Sequence, residues 1–328
     1  MVNNVLITGG CGFIGLNLIE YILQQSNNKT NIRVFDNLSV GKKSDLQEIT
    51  EIKEIHKPKK SPDGVELLEG DIRNPETCNH AMIGIDHVIH LAANTGVQPS
   101  IKNPDFDFEI NTAGTFNLLL AARNNKVNKF IFASSGASVG ECEPPIHEEV
   151  PAHPMSPYGS SKLCGEAYCS AFNKSYGLET ISLRFSNVYG PKSYNKSSVV
   201  AKVINRAIKG EIIEINGDGN QTRDFIFVLD LVEAILSSLK TKTKGGQIFQ
   251  IATGKEISIN RLIQIISNQF QIKNKFFPNI KYKDKLDGDV IRNFANIDKA
   301  KNVLNWKPLV GLDQGLKQTV SDFLAKEY

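Results

Sequence analysis

The sequence lacks long hydrophobic runs and any strong excess of charge of one sign. Its 328 residues carry 38 Lys and Arg against 35 Asp and Glu, for a formal net charge of +3. The basic residues are scattered among the acids, whereas nucleic-acid-binding proteins usually gather them in a patch or stripe. No apolar stretch approaches the roughly 20 residues of a membrane-spanning helix. We therefore expect no nucleic-acid partner and no membrane partner.

Paired cysteines and metal-binding spacings are also missing. The five cysteines are an odd number without a CxxC or a Cys/His spacing, which argues against a disulfide framework and against a zinc site. His87 and His90 flank an apolar run and are expected to be packing residues. After Met1 the chain enters the apolar segment VLITG and shows no export signal. We expect reduced thiols, no metal and a cytoplasmic protein.

Short apolar runs alternate with helical stretches in the first half of the chain. The runs VLITG, IRVFD, VELLEGD, HVIHLAA and KFIFASS are separated by stretches of helical period, including residues 16–25 and 108–124. Strands of about five residues separated by helices are typical of a parallel sheet with helices on both faces. The pattern predicts an α/β fold built on a Rossmann-type doubly wound parallel sheet.

The pattern changes after residue 185. A helix over 157–176 and the strand ETISLRFSNVYG are followed by an irregular polar stretch. Helical periods then recur near 199–209, 232–239, 259–270 and 312–326, with the strands EIIEI, RDFIFV and QIFQIA between them. We predict a first domain over 1–185, onto which 222–252 packs back, and a smaller mixed α/β domain over 186–328. The charged stretch 53–60 is expected to be a solvated loop.

A glycine-rich turn, TGGCGFIG, follows the first strand directly. Gly9, Gly12 and Gly15 are three residues apart in it, and the turn opens a helix. Glycine allows the tight turn and lets the backbone approach a pyrophosphate, which the helix N-terminus favours. Because the turn stands between a strand and a helix, it predicts a dinucleotide site.

Two acids suit the same nucleotide. Asp36 ends the second strand, 21 residues after Gly15, where an acid can accept both ribose hydroxyls and repel a 2′-phosphate. NAD is therefore favoured, and Lys42 and Lys43 leave NADP as an alternative. Asp71 can bind the adenine amino group, although an acid at a strand end is also a common helix cap.

A tyrosine and a lysine four residues apart predict proton-transfer chemistry. Tyr158 and Lys162 begin a predicted helix and share one face of it. A phenol has an unperturbed pKa near 10, and a neighbouring ammonium can lower that pKa toward the range of a general base. Ser135 ends the strand KFIFASS, and strand ends of open α/β sheets line the ligand crevice.

Longer motifs accompany these residues along nearly the whole chain. They are TGGCGFIG, DNLSVGKKSDL, GDIRN, HLAANTGVQPSIKNP, NTAGTFNLLLAA, ASSGASVG, SPYGSSKLCGE, LRFSNVYGP, GDGNQTRDFIFVLDLVEA and ANIDKAKNVLNWKP. With them the chain resembles the extended short-chain dehydrogenase/reductases, in the group of nucleotide-sugar epimerases and dehydratases. The resemblance implies tightly bound NAD, a UDP-sugar substrate and the catalytic set Ser135, Tyr158 and Lys162. It also implies a homodimer in which the helices 108–124 and 157–176 form a four-helix bundle.

The resemblance further implies two sets of binding residues. The cofactor set comprises Gly9, Gly12, Phe13, Ile14, Gly15, Asp36, Asn37, Ser39, Gly41, Asp71, Ile72, Leu91, Ala92, Ala93, Asn111, Ser134, Tyr158 and Lys162. The substrate set comprises Thr95, Asn187, Val199, Ile215, Asn216, Arg223, Arg292 and Asn293. In that set Arg223 holds the diphosphate, for which a guanidinium fork is well suited.

The positions after the catalytic serine favour one reaction of the group. Similar dehydratases and decarboxylases carry acids there, whereas this chain has Gly136 and Ala137. Neither side chain can carry a proton, and an epimerase needs none, because its keto intermediate turns and takes the hydride back on its other face. We expect a 4-epimerase that supplies precursors of surface polysaccharides. Val139, where similar epimerases carry a tyrosine, is a departure from their pattern.

The sugar is predicted less sharply than the reaction. Asn293 stands where some similar epimerases carry a bulky tyrosine, and its smaller side chain leaves room for a 2-N-acetyl group. UDP-N-acetylhexosamines are therefore expected with, or instead of, UDP-hexoses. UDP-uronic acids are an alternative, since Arg292 or Lys202 can meet a carboxylate. The segment KLDGDVIRN lacks the usual arginine before Gly-Asp, so that Lys285 or Arg292 would serve the phosphates.

Two rival interpretations remain. A NAD-sensing binding protein on the same fold is one, because fold does not determine function. Retention of Ser135, Tyr158 and Lys162 together argues against it, since a sensor needs no proton-transfer set. The second rival is a net oxidoreductase or dehydratase of nucleotide sugars; a reductase would release its cofactor in every turnover.

Overall fold

The computed structural model describes residues 4–26, 30–285 and 290–326. The strands are β1 (Asn4–Thr8), β2 (Asn31–Asp36), β3 (Lys53–Ile55), β4 (Val65–Glu69), β5 (His87–His90), β6 (Lys129–Ser135), β7 (Glu179–Phe185), β8 (Asn187–Tyr189), β9 (Ile213–Asn216), β10 (Thr222–Arg223), β11 (Phe225–Phe227), β12 (Gln247–Ile251), β13 (Ile257–Ser258) and β14 (Ile280–Lys283). The α-helices are α1 (Phe13–Ser26), α2 (Lys43–Gln47), α3 (Pro75–Ala81), α4 (Val97–Lys102), α5 (Pro104–Asp107), α6 (Thr115–Asn124), α7 (Pro157–Tyr176), α8 (Val199–Ile208), α9 (Val228–Lys240), α10 (Ile259–Ile272), α11 (Asp298–Leu304) and α12 (Leu312–Lys326).

Eight of these strands form one parallel sheet in the order β12-β7-β6-β5-β1-β2-β4-β3. Its central strands are continuously apolar because helices cover both faces, and Val5, Leu6 and Ile7 of β1 are fully buried. The α/β doubly wound fold is therefore confirmed. The chain reverses its direction of travel across the sheet between β1 and β5. At such a switch point the carboxyl ends of neighbouring strands leave a crevice open.

The second half of the chain builds a smaller core beside this sheet. Helices α8, α10 and α12 pack there with β9 and β11. Three two-stranded sheets, β8–β11, β10–β13 and β9–β14, complete it. The chain then returns to the first core, since β12 is the edge strand next to β7 and α9 packs on α1.

Several local expectations need correction. The helix expected over 108–124 begins as a π-helical segment, Phe108–Gly114, and continues as α6. The strand ETISLRFSNVYG breaks at Ser186, because the Ser186 amide donates to Ile251 of the large sheet while the Asn187 amide donates to Asp224. The stretch 53–60 is only partly a loop, since Lys53–Ile55 pairs with β4 at the sheet edge. The helices predicted over 157–176 and 312–326 are confirmed.

Two features are absent from the described residues. No helix there is both long enough and apolar enough to cross a membrane. Nor do those residues contain a group of three or more His, Cys, Asp or Glu that could hold a metal ion. The centre of the segment KLDGDVIRN, residues 286–289, lies outside the described residues.

Candidate active site

The glycine-rich turn joins β1 to α1 at the switch point. Gly9 has a φ of +67°, and a Cβ atom on it would lie 2.7 Å from the backbone nitrogen of Ala92. A Cβ atom on Gly15 would lie 2.5 Å from the Cα atom of Gly10. Only glycine therefore lets the turn pack against the segment after β5 and lets α1 close on the turn. The first turn of α1 carries no acid, so its N-terminal amides and partial positive charge suit a phosphate group.

Asp36 closes the same site from the end of β2. It is buried, and its carboxylate accepts hydrogen bonds from the amides of Cys11 and Leu38, each at 2.9 Å. Burial raises the pKa of this carboxyl, while the two amides oppose the shift. Each oxygen keeps a lone pair that can accept a ribose hydroxyl. A Cβ atom on Gly41 would collide with the carbonyl of Cys11, so the loop after Asp36 folds closely over the turn. These residues fit a dinucleotide.

Asp71 lies beside this loop. It accepts from the side chain of Asn37 at 3.0 Å and pairs with Arg73 at 2.9 Å. Hydrogen bonding to Arg73 lowers the pKa of Asp71 to about 2. The carboxylate is therefore ionised and can accept a hydrogen bond from the adenine amino group. Ser39 donates to Asn37 and orders the same loop. Ile72 is buried, and its main-chain carbonyl accepts from Asn117 at 3.1 Å.

Asn111 supports the segment after β5, which contains Leu91, Ala92 and Ala93. Its amide group accepts from the Asn94 nitrogen and donates to the Asn94 carbonyl, both at 2.9 Å. It also donates to Asp107 at 2.9 Å. Asp107 is buried, and burial is the largest cause that raises its pKa. The motif NTAGTFNLLLAA includes Asn111, whereas nothing in the sequence marked Asp107.

The catalytic candidates converge at the end of β6. Ser156 caps the N-terminus of α7 by accepting from the Gly159 amide at 3.1 Å, and Pro157 occupies the first helical position. This places Tyr158 and Lys162 on one face, with the Lys162 ammonium 5.8 Å from the centre of the phenol ring. The ammonium donates to the Ala133 carbonyl at 2.9 Å.

The pKa of the phenol shifts against the direction that the sequence suggested. Burial raises the pKa of Tyr158 to about 12, and a hydrogen bond with Ser135 opposes that rise. Burial also lowers the pKa of Lys162 to about 8. Both changes have the same cause, because a medium of low polarity disfavours the charged form of each group. Burial therefore favours the neutral form of the phenol and brings the pKa of the neighbouring ammonium down to about 8.

A buried ion pair lies directly behind these residues. Glu166, two turns after Tyr158 on α7, accepts from Arg184 of β7 at 2.7 and 2.8 Å. The same carboxylate accepts from Ser134 at 2.5 Å and from Ser138 at 3.1 Å. It thus fixes the strand residue next to Ser135. The sequence analysis missed this role, although Glu166 and Arg184 stand in the motifs SPYGSSKLCGE and LRFSNVYGP.

The residues expected to bind substrate lie in several places. Thr95 is exposed after β5, Asn187 is exposed at the start of β8, and Val199 begins α8. On β9, Ile215 is buried and Asn216 is exposed. Asn293 is partly buried and follows residues 286–289, which the structure does not describe. Arg223 donates to the carbonyls of Thr222 and Val290, each at 2.7 Å. Arg292 pairs with Glu256 at 2.7 Å, which raises the pKa of the guanidinium. Its charge is therefore already matched by a carboxylate.

Comparison with known proteins places this geometry in context. Residues 5–252 match the model of the NAD dependent epimerase/dehydratase family. A putative UDP-glucose 4-epimerase of Methanocaldococcus jannaschii is 36% identical over 322 residues, covering 97% of each chain. The solved UDP-N-acetylglucosamine 4-epimerase of Methanobrevibacter ruminantium, a complex with UDP-N-acetylmuramic acid, is 30% identical, with a TM-score of 0.88 over 99% of this chain and 100% of that one. The solved UDP-glucose 4-epimerase of Thermus thermophilus, a complex with NAD, is 32% identical, with a TM-score of 0.84 over 98% of each chain.

Proposed function

The chain belongs to the NAD-dependent epimerase/dehydratase family, and on that premise we propose that it inverts C4 of a UDP-hexose or a UDP-N-acetylhexosamine through a transient 4-keto sugar. The observation that carries the proposal is the convergence of Ser135, Tyr158 and Lys162 at the crevice that the glycine turn opens. Gly136 and Ala137 follow Ser135 without any group that could shuttle a second proton. The site therefore suits a reaction without net loss of water or carbon dioxide.

In this proposal the Tyr158 phenolate takes the proton of the sugar 4-hydroxyl when the 4-keto sugar forms. The phenol returns the proton when the keto group is reduced again. Ser135 hydrogen-bonds the phenol and the substrate oxygen, and Lys162 supplies the positive charge that favours the phenolate. The glycine turn and Asp36 would hold NAD, which would supply the hydride acceptor and, once reduced, the hydride donor.

Most residues assigned to the substrate belong to the second half of the chain, and Thr95 follows β5 of the large sheet. We assign its contacts to Thr95, Asn187, Val199, Ile215, Asn216, Arg223, Arg292 and Asn293. Arg223 remains the proposed diphosphate ligand, and Arg292 would first have to exchange its Glu256 contact. Asn293 has a small side chain, which leaves room for a 2-N-acetyl substituent.

Proton NMR of the products tests the reaction and the sugar together. The purified protein is incubated without added cofactor, separately with UDP-N-acetylglucosamine, UDP-glucose and UDP-glucuronic acid. We expect the 4-epimers of the first two, formed by NAD that stays bound through turnover. Epimerisation of the uronic acid alone would move the assignment to a UDP-uronic acid 4-epimerase. Conversion only with added NADH would identify a net reductase, and no conversion by NAD-loaded protein would contradict the epimerase.

We also propose a homodimer through a four-helix bundle. Helices α6 and α7 are joined by aromatic contacts, with the Phe116 and Tyr168 rings 5.1 Å apart. Phe108, in the segment before α6, and Tyr168 and Tyr176 of α7 are exposed. Large exposed aromatics are enriched in interfaces. Tyr168→Glu should convert a dimer to a monomer in light scattering, whereas Tyr282→Glu, in the second core, should leave the mass unchanged.

Two further assignments accompany this function. We propose a NAD-binding domain over 1–185 with 222–252 packed onto it, and a sugar-nucleotide domain over 186–328. The return of α9 and β12 to the first core supports this division, whereas β10 and β11 pair with strands of the second core. We also propose a cytoplasmic location. All five cysteines are free thiols, as in proteins of reducing compartments.

A further inference from the structure

We propose that Lys196 binds the diphosphate of the dinucleotide cofactor, opposite the N-terminus of α1. The residue stands in the loop between β8 and α8, outside every motif discussed above. The proposal rests on NAD binding at the glycine turn and does not depend on the sugar or on the reaction. Its failure is therefore distinguishable from a failure of the proposed epimerase activity.

A cavity of about 320 Å³ lies between the glycine turn and the C-terminal helix α12. Cys11, Gly12 and Phe13 line it from the turn, and Lys196 lines it from the loop between β8 and α8. The diphosphate of a dinucleotide sits at such a helix N-terminus. Lys196 thus shares a cavity with the turn that would hold that diphosphate.

The acids of this cavity are largely matched by other groups. Glu20 pairs with Lys192 at 2.8 Å, and Glu48 pairs with Lys326 at 2.8 Å. Asp322 accepts from the backbone amide of Lys192 at 2.8 Å, and Asp45 also lines the cavity. Among the residues that the structure describes, by contrast, the Lys196 ammonium forms no ion pair and no side-chain hydrogen bond.

The charge of Lys196 also acts on Lys162, at the catalytic end of the crevice. Burial lowers the pKa of Lys196, and its positive charge is one of the causes that lower the pKa of Lys162. A cation that is partly buried without a partner is unfavourable. A diphosphate between the glycine turn and Lys162 would supply the missing negative charge, and a compact ammonium is a common ligand of phosphate groups.

The loop that carries Lys196 is held in place from both sides. Asn17 of α1 donates to the Pro191 carbonyl at 3.0 Å, and the Lys192–Glu20 pair ties the loop to the same helix. On the other side the rings of Tyr194 and Phe323 pack with their centres 4.9 Å apart. The loop therefore presents Lys196 from a preformed position, which reduces the entropy lost on binding.

Two ligands separate a diphosphate contact from general damage to the loop. Protein freed of cofactor is titrated in a calorimeter with ADP-ribose, which contains the diphosphate, and with adenosine, which lacks it. For Lys196→Gln we expect the Kd of ADP-ribose to rise about tenfold, which corresponds to about 1.4 kcal/mol, and the Kd of adenosine to stay unchanged. Lys196→Arg keeps the charge and should stay within about threefold of the wild type. Lys209→Gln, an exposed lysine at the other end of α8, is the charge-matched control.

Three results would overturn the assignment. The first is an unchanged Kd of ADP-ribose in Lys196→Gln. The second is an equal loss of ADP-ribose and adenosine binding, which would mean that the substitution only disturbs the fold of the loop. The third is weaker binding of UDP to the NAD-loaded protein with normal ADP-ribose binding, which would place Lys196 in the substrate site.

Discussion

Glu166 on α7 and Arg184 on β7 form a bidentate ion pair at 2.7 and 2.8 Å, and both side chains are almost completely buried. The pair joins the helix that carries Tyr158 to the sheet that carries Ser135. Because Ser134 and Ser138 donate to the same carboxylate, the pair positions the end of β6 that carries Ser135.

Removing this carboxylate should destabilise the fold. Glu166→Gln leaves the Arg184 charge buried without its partner, and we expect a loss of about 3–5 kcal/mol in the free energy of unfolding. Urea denaturation measures it. The control is Glu109→Gln, which breaks the exposed pair with Arg73 and should cost less than about 1 kcal/mol. Equal effects of the two substitutions would show that the buried pair has no special role.

The phenol of Tyr158 should be needed for turnover and not for cofactor binding. Tyr158→Phe removes the proton-transfer group and keeps the ring, so kcat should fall by roughly 10²–10⁴-fold. The NAD content of the purified variant should equal that of the wild type. Tyr176→Phe, an exposed tyrosine at the end of the same helix, should retain full activity. A Tyr158→Phe variant with more than a tenth of wild-type turnover would exclude Tyr158 as the acid and base.

The rate should depend on pH through Lys162. Its pKa is lowered to about 8, so the ammonium that favours the Tyr158 phenolate is progressively lost above that pH. We expect kcat to rise toward pH 8, as the phenol deprotonates more readily, and to decline above it. Lys162→Arg keeps its charge throughout this range, and the decline should vanish in that variant, whatever its absolute rate. A decline that persists in Lys162→Arg would assign it to another group.

His90 should make the fold sensitive to acid. It is buried between the hydroxyls of Thr8 at 2.8 Å and Thr115 at 3.0 Å, and burial lowers its pKa to about 3. Between pH 6.5 and 3 the unfolded chain therefore binds a proton that the folded chain does not, and stability falls as the pH falls. In His90→Gln this slope should be smaller, by about 1.4 kcal/mol per pH unit.

Denaturation of the two proteins at several pH values between 6 and 4 measures the difference. The exposed His56 offers a matched control, since His56→Gln should leave the slope unchanged. Should His90→Gln fail to fold, the His90 ring resonance in the wild-type NMR spectrum provides the test. A midpoint of titration above pH 5 would contradict the prediction.

Gly15 should tolerate no side chain. An added Cβ atom meets the backbone of Gly10 at 2.5 Å, so Gly15→Ala must move the turn. We expect destabilisation of about 1–3 kcal/mol or more and loss of most bound NAD. Gly177→Ala is the control, because that glycine has a φ of +73° and open space around it. It should cost about 1 kcal/mol and leave the NAD content unchanged. Normal NAD content in Gly15→Ala would mean that the turn can shift without harming the cofactor site.

Much of the first core could be predicted because its signals are local. The apolar runs, the glycine spacing and the Ser156-Pro157 start of α7 depend on neighbours within a few residues of one another. The pattern failed where distant contacts decide the outcome. No residue near Ser186 indicates that the chain stops pairing with β12 there and pairs with β11 instead. No residue near Lys53 indicates that residues 53–55 add to β4 as the edge strand of the sheet.

The sequence by itself determined the doubly wound sheet, the glycine turn with Asp36, and the presence of a serine, a tyrosine and a lysine suited to proton transfer. Only the tertiary structure decided the burial that raises the pKa of Tyr158 and lowers that of Lys162. It also brought Arg184 to Glu166 and Lys196 to the glycine turn. These effects depend on which atoms surround a group after the chain has folded. Residues that are 18 positions apart, as Glu166 and Arg184 are, or much farther apart share no local sequence pattern that could predict their contact.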